Sequence, residues 1–397
     1  MAHTSAEQMR SWTGPALFSF GFRPFFLFGA VWVLVAMVLW LAMLAGAVWL
    51  PTRFDPVSWH AHEFLFGYLG AVLAGFLLTA VPNWTGRFPI VGWRLAGLFA
   101  LWVAGRIAVL VSATLPPFAA ITIDLAFPIG LGLLILREIV AGKNWRNLIV
   151  LALLAAFTIA NALFHFEALT GGNPAQGTGL RLGLATSVMM IAVIGGRIIP
   201  SFTRNWLVKR PDPARPAPPM QKLDKIVLLA SLPILGVWTI RPFETITGLL
   251  LLLFGALHLI RLGRWQGHRT LAEPLVVVLH GAYLFVPMGA IALGLDPLLG
   301  HPGSAGAQHL WMAGAIGAMT LAVMTRATLG HTGQDLTAGA ATVGIYICII
   351  LAALARSVSP IWLDLSYLSG LFWLLAFGGF ALFYGPSLLR PKEGGSR

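Results

Sequence analysis

Twelve apolar runs of about 20 residues, each long enough to cross a bilayer core, recur along this chain of 397 residues. They lie near 24–49, 59–81, 92–113, 117–138, 147–169, 179–200, 224–242, 245–263, 273–294, 303–325, 337–357 and 361–385. Lipid offers no partner to a backbone amide, so runs of this length must close their hydrogen bonds internally as helices. The expected fold is therefore an all-α integral membrane protein with about twelve transmembrane helices. Charged residues make up 10% of the chain and the mean hydropathy is +0.82, where a soluble domain carries about 25% charged residues. Little sequence is left for a soluble domain. The single cysteine, Cys348, excludes disulfides, iron–sulfur clusters and thiolate metal sites within one chain. The first sixteen residues lack the apolar region and cleavage site of a signal peptide, so the first run is expected to stay in the membrane.

The net charge of +12 raises the question of nucleic acid, and its distribution answers it. The termini and the connections after even-numbered runs collect nearly all of the 26 basic residues. The other side keeps only Arg53, Arg106, Arg181, Arg241 and Arg356. By the positive-inside rule this places both termini in the cytoplasm of a multi-pass inner-membrane protein, with the lipid bilayer and not nucleic acid as its surroundings. One connection, Lys209-Arg210-Pro211-Asp212-Pro213-Ala214-Arg215-Pro216-Ala217-Pro218-Pro219, is long and rich in proline. It reads as a semi-rigid linker. The single polytopic domain, 1–397, is expected to divide into six spans over 1–208, the linker at 209–223, and six spans over 224–397.

Shifted by 247 positions, the chain matches itself: His62 falls on His309, Gly67 on Gly314, Gly70 on Gly317, Ala71 on Ala318, Thr85 on Thr332 and Gly86 on Gly333. A shift of 118 pairs Pro82 with Pro200 and Thr85 with Thr203. Spans two, six and ten thus form a series, as three pseudo-repeats of four helices would produce; repeats are common in membrane folds.

Ionisable residues inside a membrane are costly and mark functional sites, and imidazole is the usual protein ligand of haem iron and copper. The assumed topology puts His60, His62, His165 and His309 in the layer near the outer face. His258 and His280 fall in the inner layer, with His331 just past span ten. His60 and His62 are two residues apart, about 200° around a helix, so they point to opposite sides; Glu63 is placed to orient His60. The pairing His62–His309 suggests the two axial ligands of a b-type haem between spans two and ten. His258 and His280, with His331 as a third member, suggest a copper site, against the alternative of interhelical hydrogen bonds. His3, His268 and His301 read as solvated. Two arginines set in apolar sequence, Arg23 and Arg326, suit carboxylates such as haem propionates. Arg87 and Arg204 read as topology markers.

Gly21-Phe22-Arg23-Pro24-Phe25-Phe26, Trp59-His60-Ala61-His62-Glu63, Gly75-Phe76-Leu77-Leu78-Thr79-Ala80 with Asn83-Trp84-Thr85-Gly86-Arg87, and Met324-Thr325-Arg326 with Leu329-Gly330-His331-Thr332-Gly333 together resemble the NnrS family of bacterial membrane proteins. That resemblance implies haem, copper and a role in nitric oxide metabolism or nitrosative-stress protection, with nitric oxide as a partner molecule. It assigns no ligands to residues. Gln334 stands where the family often has arginine. The architecture is also similar to that of haem–copper oxidases, twelve spans in three arcs of four, though the tandem His-His pair of an oxidase is missing. Whether the chain turns over a substrate is left open, as is its redox partner. The alternatives are a secondary transporter of a metal or anion along a His/Arg-lined path, and a non-catalytic assembly factor.

Overall fold

A computed structural model describes residues 12–87, 89–210, 212–300, 305–359 and 364–391. Among these residues there is no strand, and twelve helices are long and apolar enough to span a membrane. They are α1 (Phe22–Leu44), α2 (Pro56–Thr85), α3 (Trp93–Leu110), α4 (Pro117–Ala141), α5 (Trp145–Leu169), α6 (Thr178–Val208), α7 (Lys222–Ile240), α8 (Thr245–Gly263), α9 (Pro274–Leu298), α10 (Ala305–Thr332), α11 (Ala340–Val358) and α12 (Asp364–Leu389). This is a multi-pass membrane protein. His3 and His301 lie outside the described residues, and His268 is exposed.

Local chemistry sets the helix ends. Asp55 caps α2 by accepting from the amides of Val57 and Ser58, with Pro56 at the first helical position, where its missing N–H costs nothing. A capping box between Gln221 and Asp224 opens α7, satisfying two otherwise orphaned amides. Gly86 ends α2 at φ 68°, a left-handed conformation that favours glycine. Two helices outrun the sequence expectation. α6 continues to Val208, and α10 continues to Thr332, so His331 sits in the last turn of a helix rather than beyond it. Thr325 and Thr332 hydrogen-bond the carbonyls of Leu321 and Thr328, which keeps these polar hydroxyls inside the helix.

The three spans of the internal repeat stand apart from the rest. In α2, α6 and α10, 78%, 72% and 78% of the apolar window is buried, against 61% or less elsewhere. Each of the three also contains a π-helical segment: Glu63–Tyr68, Ile191–Gly195 and Leu310–Ala318. The first and third begin at positions that coincide under the 247-residue shift. Such widened turns insert one residue into an α-helix and collect at functional sites.

The chain forms two compact units. One holds residues 1–183 with 327–334 and 380–397; the other holds 184–326 with 335–379. The Pro-rich linker belongs wholly to the second. In the first unit, Arg23 is buried and its Nη1 donates to the carbonyls of Ser387, Leu388 and Arg390. A helix leaves its last carbonyls without partners, and Arg23 supplies them at the end of α12.

Candidate metal centre

Five helices of the first unit bring polar side chains to one buried point, and four of these helices supply ionisable groups. α2 supplies His62 and Glu63, α3 Arg106, α4 Asp124, and α5 Asn161 and His165, while α1 adds Trp32. Asn161 and His165 are four residues apart and share a helix face. His62, Glu63, Arg106, Asp124, Asn161 and His165 are all buried, His62 and Glu63 completely.

Charge is matched within the cluster. Arg106 Nη1 reaches both oxygens of Glu63 at 2.7 Å, and its Nη2 donates to Asp124 Oδ1. Trp32 Nε1 donates to Glu63 Oε2 at 2.7 Å. His62 Nδ1 lies 3.0 Å from Glu63 Oε1. Asn161 donates through Nδ2 to Asp124 Oδ2 at 2.8 Å, which turns its Oδ1 toward His62 Nε2 at 2.9 Å. Both nitrogens of His62 therefore face oxygen acceptors, and the ring donates on both sides. A buried carboxylate pair is tolerated only when paired and hydrogen-bonded. Here one guanidinium and one imidazolium meet two carboxylates.

Around Asp124 Oδ2 the donors converge. His62 Nε2 stands 3.3 Å away and His165 Nε2 3.0 Å away, and the three ligand atoms all lie within 4.8 Å of one another. A tetrahedral ion with bonds of about 2.1 Å holds its ligands about 3.4 Å apart, so two of the three separations already suit it. Among the described residues this is the one group of three or more such side chains close enough to share an ion. Two imidazoles and a carboxylate are a donor set for first-row transition metals. Phe54 covers both rings, at 5.1 Å from His62 and 5.4 Å from His165. Gly67 is required here: a Cβ on it would lie 2.8 Å from Glu63 Oε2 and run into the Arg106 guanidinium.

The sequence expectations fare unevenly. His62 and His165 do come together, with ring centroids 5.0 Å apart. Glu63 lies against His62 Nδ1 at 3.0 Å. His60 instead stacks on Trp40 at 4.5 Å and meets Phe64 at 4.3 Å. His62 Nε2 faces Asp124 Oδ2 at 3.3 Å and Asn161 Oδ1 at 2.9 Å, which places the residue expected as an axial haem ligand in this cluster. His309 bonds the Ala305 carbonyl at 2.6 Å through Nδ1, a bond within its own helix. In the second unit, His258 lies between Ser231 Oγ at 3.0 Å and Tyr283 OH at 2.8 Å, and His280 Nε2 pairs with Thr203 Oγ1 at 2.9 Å. Hydroxyls thus take the positions expected for copper, the alternative reading of these two residues. His331 belongs to the first unit and packs on Phe20 and Phe22. Arg326 stacks over Phe202 at 4.0 Å, a cation–π contact. Of the topology markers, Arg87 pairs with Glu138 at 2.5 Å.

Arg106, Asp124, Asn161 and Trp32 were not singled out from the sequence. The signal existed for Asp124, an isolated carboxylate in Ile121-Thr122-Ile123-Asp124-Leu125-Ala126 within an apolar run. The family model described as NnrS protein matches residues 16–392. A search of curated proteins returns no match.

Proposed function

We propose that this chain, which belongs to the NnrS family, is a metal-dependent inner-membrane protein of nitric oxide metabolism or nitrosative-stress protection. In this reading a single transition-metal ion, copper, is held by His62, Asp124 and His165. The observation that carries it is the convergence of those three buried donors within 4.8 Å. Copper is favoured by the Irving–Williams order at a mixed N/O site and by the family resemblance. When bound, such an ion supplies one-electron redox chemistry and a coordination position for a small ligand. In this reading His62 serves that ion, and no residue is assigned to haem.

The protein groups around the ion have distinct tasks. Arg106 holds Glu63 and Asp124 in place and balances their charge. Asn161 fixes the Asp124 carboxylate from the other side, as supporting hydrogen bonds around metal ligands do. Glu63, held by the Trp32 indole, brackets His62 Nδ1 and aims Nε2 at the shared point. The proton on His62 Nε2 must leave when an ion takes its place, with Glu63 unaffected on the far side of the ring. Phe54 and Phe164 close the imidazoles off from water.

The test is metal content. Copper per chain, measured by elemental analysis on protein purified from copper-supplemented cells, should approach one in the wild type. It should fall to background in His62→Ala, Asp124→Ala and His165→Ala, and remain in His258→Ala. Equal copper in all four variants would remove the assignment. Another metal at the same three ligands would correct only its identity.

A further inference from the structure

Away from that cluster, the second unit buries an unbroken polar chain centred on Tyr283, a residue with no exposed surface. Arg261 on α8 donates from Nε to Asp224 Oδ1 of α7 at 2.7 Å. Its Nη1 donates to the carbonyl of Ala192, in the π segment of α6, and to Tyr283 OH on α9, at 2.7 and 2.9 Å. Tyr283 OH lies 2.8 Å from His258 Nδ1, and His258 Nε2 lies 3.0 Å from Ser231 Oγ. Ser231 Oγ in turn donates to the Val227 carbonyl at 2.7 Å.

These bonds fix the direction of every proton. Guanidinium can only donate, so the phenol oxygen accepts from Arg261 and must spend its own hydrogen on His258 Nδ1. His258 is then an acceptor at Nδ1 and a donor at Nε2, and Ser231 accepts before passing its proton to a backbone carbonyl. A tyrosine that donates to a neutral, buried imidazole has what one-electron oxidation of a phenol requires. Its O–H becomes strongly acidic on losing an electron, and in a dry interior only a directly bonded base can take the proton. Asp224 balances the Arg261 charge close to the oxygen. Trp265 packs edge-on to Tyr283 with ring centroids 4.6 Å apart, giving the electron an aromatic exit.

We propose that Tyr283 is a redox-active tyrosine, oxidised reversibly by one electron while its phenolic proton passes to His258 Nδ1. The O–H bond of Tyr283 breaks and an N–H bond forms on His258, giving a neutral phenoxyl radical beside an imidazolium. The electron goes to an uncharged, lipid-soluble one-electron oxidant of the nitrogen dioxide class, which leaves as its anion. A lipid-soluble one-electron reductant of the ferrocene class, which leaves as its cation, restores the electron, and the proton passes back from His258 Nδ1 to the Tyr283 oxygen. This activity is independent of the ion at His62, Asp124 and His165.

A flash-generated ruthenium(III) tris-bipyridine complex, applied to the full-length protein in nanodiscs and followed by freeze-quenched electron paramagnetic resonance, tests it. Ring-deuterated tyrosine should change the radical's hyperfine pattern, and Tyr283→Phe should abolish the signal although the other four of the five tyrosines remain. His258→Gln should cut the yield at least about tenfold, the factor that losing one hydrogen bond to a charged product supports. In the unmutated protein, labelling histidine with nitrogen-15 should alter the nuclear coupling seen from the radical, a measurement that needs no variant to fold. No tyrosyl signal in the wild type, full signal in Tyr283→Phe, or no histidine coupling would each overturn the proposal.

Discussion

Arg106 faces Glu63 and Asp124 at once in the first unit. Removing one partner of a buried ion pair strands the other charge, at about 3–5 kcal/mol. Arg106→Ala should therefore lower thermal stability in detergent by that order, while Arg241→Ala at the exposed Arg241–Glu244 pair should leave the melting temperature unchanged. A melting curve for Arg106→Ala that overlays the wild type would mean the cluster is not charged as drawn. Arg23→Ala should release the end of α12, read as faster amide exchange over residues 387–390 with a loss of about 1–3 kcal/mol for the orphaned carbonyls. These residues also show what the chain discloses in advance. An imidazole among leucines is conspicuous, so His62 and His165 were found. Arg106 was read as a flank of an outward connection, and its partners come from α2 and α4, a convergence that spacing along one helix does not reveal. His258 and His280 were equally conspicuous, but their hydroxyl partners, Ser231 and Thr203, are ordinary residues in other helices.

The helices themselves were largely legible, because twelve apolar runs in lipid have few alternatives to twelve helices. Their ends were less so: α6 and α10 outlast their most apolar windows through threonine back-bonding and proline-tolerant turns. The π segments were not legible at all, since a widened turn has no composition of its own. Within α2, Gly67 makes a firm prediction. Gly67→Ala forces Glu63 or Arg106 to shift, an overpacking cost of about 1–3 kcal/mol, and should lower bound copper along with stability. Gly236→Ala on α7, where nothing lies within 4 Å, should instead raise stability by up to about 1 kcal/mol by helix propensity. Thermal unfolding of the two variants side by side checks the sign; a stabilising Gly67→Ala would refute the close approach of α2 and α3.

At the scale of the whole molecule, the internal repeat and the charge bias make a topological prediction. Reporter fusions after Pro219 should read cytoplasmic and one near Asp55 periplasmic, setting the His62 cluster near the outer face; a periplasmic reading at Pro219 would invert that depth. The π segments of α2 and α10 support the 247-residue repeat; within it His62 gathers Asp124 and His165, and His309 Nδ1 bonds the Ala305 carbonyl of its own helix. The ordering of the cluster along the chain also bears on biosynthesis. Glu63, Arg106 and Asp124 sit on three consecutive helices, α2, α3 and α4, and Arg106 and Asp124 face each other across a hairpin with a short loop at 111–116. A lone charge costs up to about 2.5–3.5 kcal/mol at the centre of an inserting helix and less toward its ends. Since each charged helix leaves the ribosome next to its counter-ion, the nascent chain can enter the lipid as a neutral hairpin, and the three helices need not wait for the rest of the protein to be made.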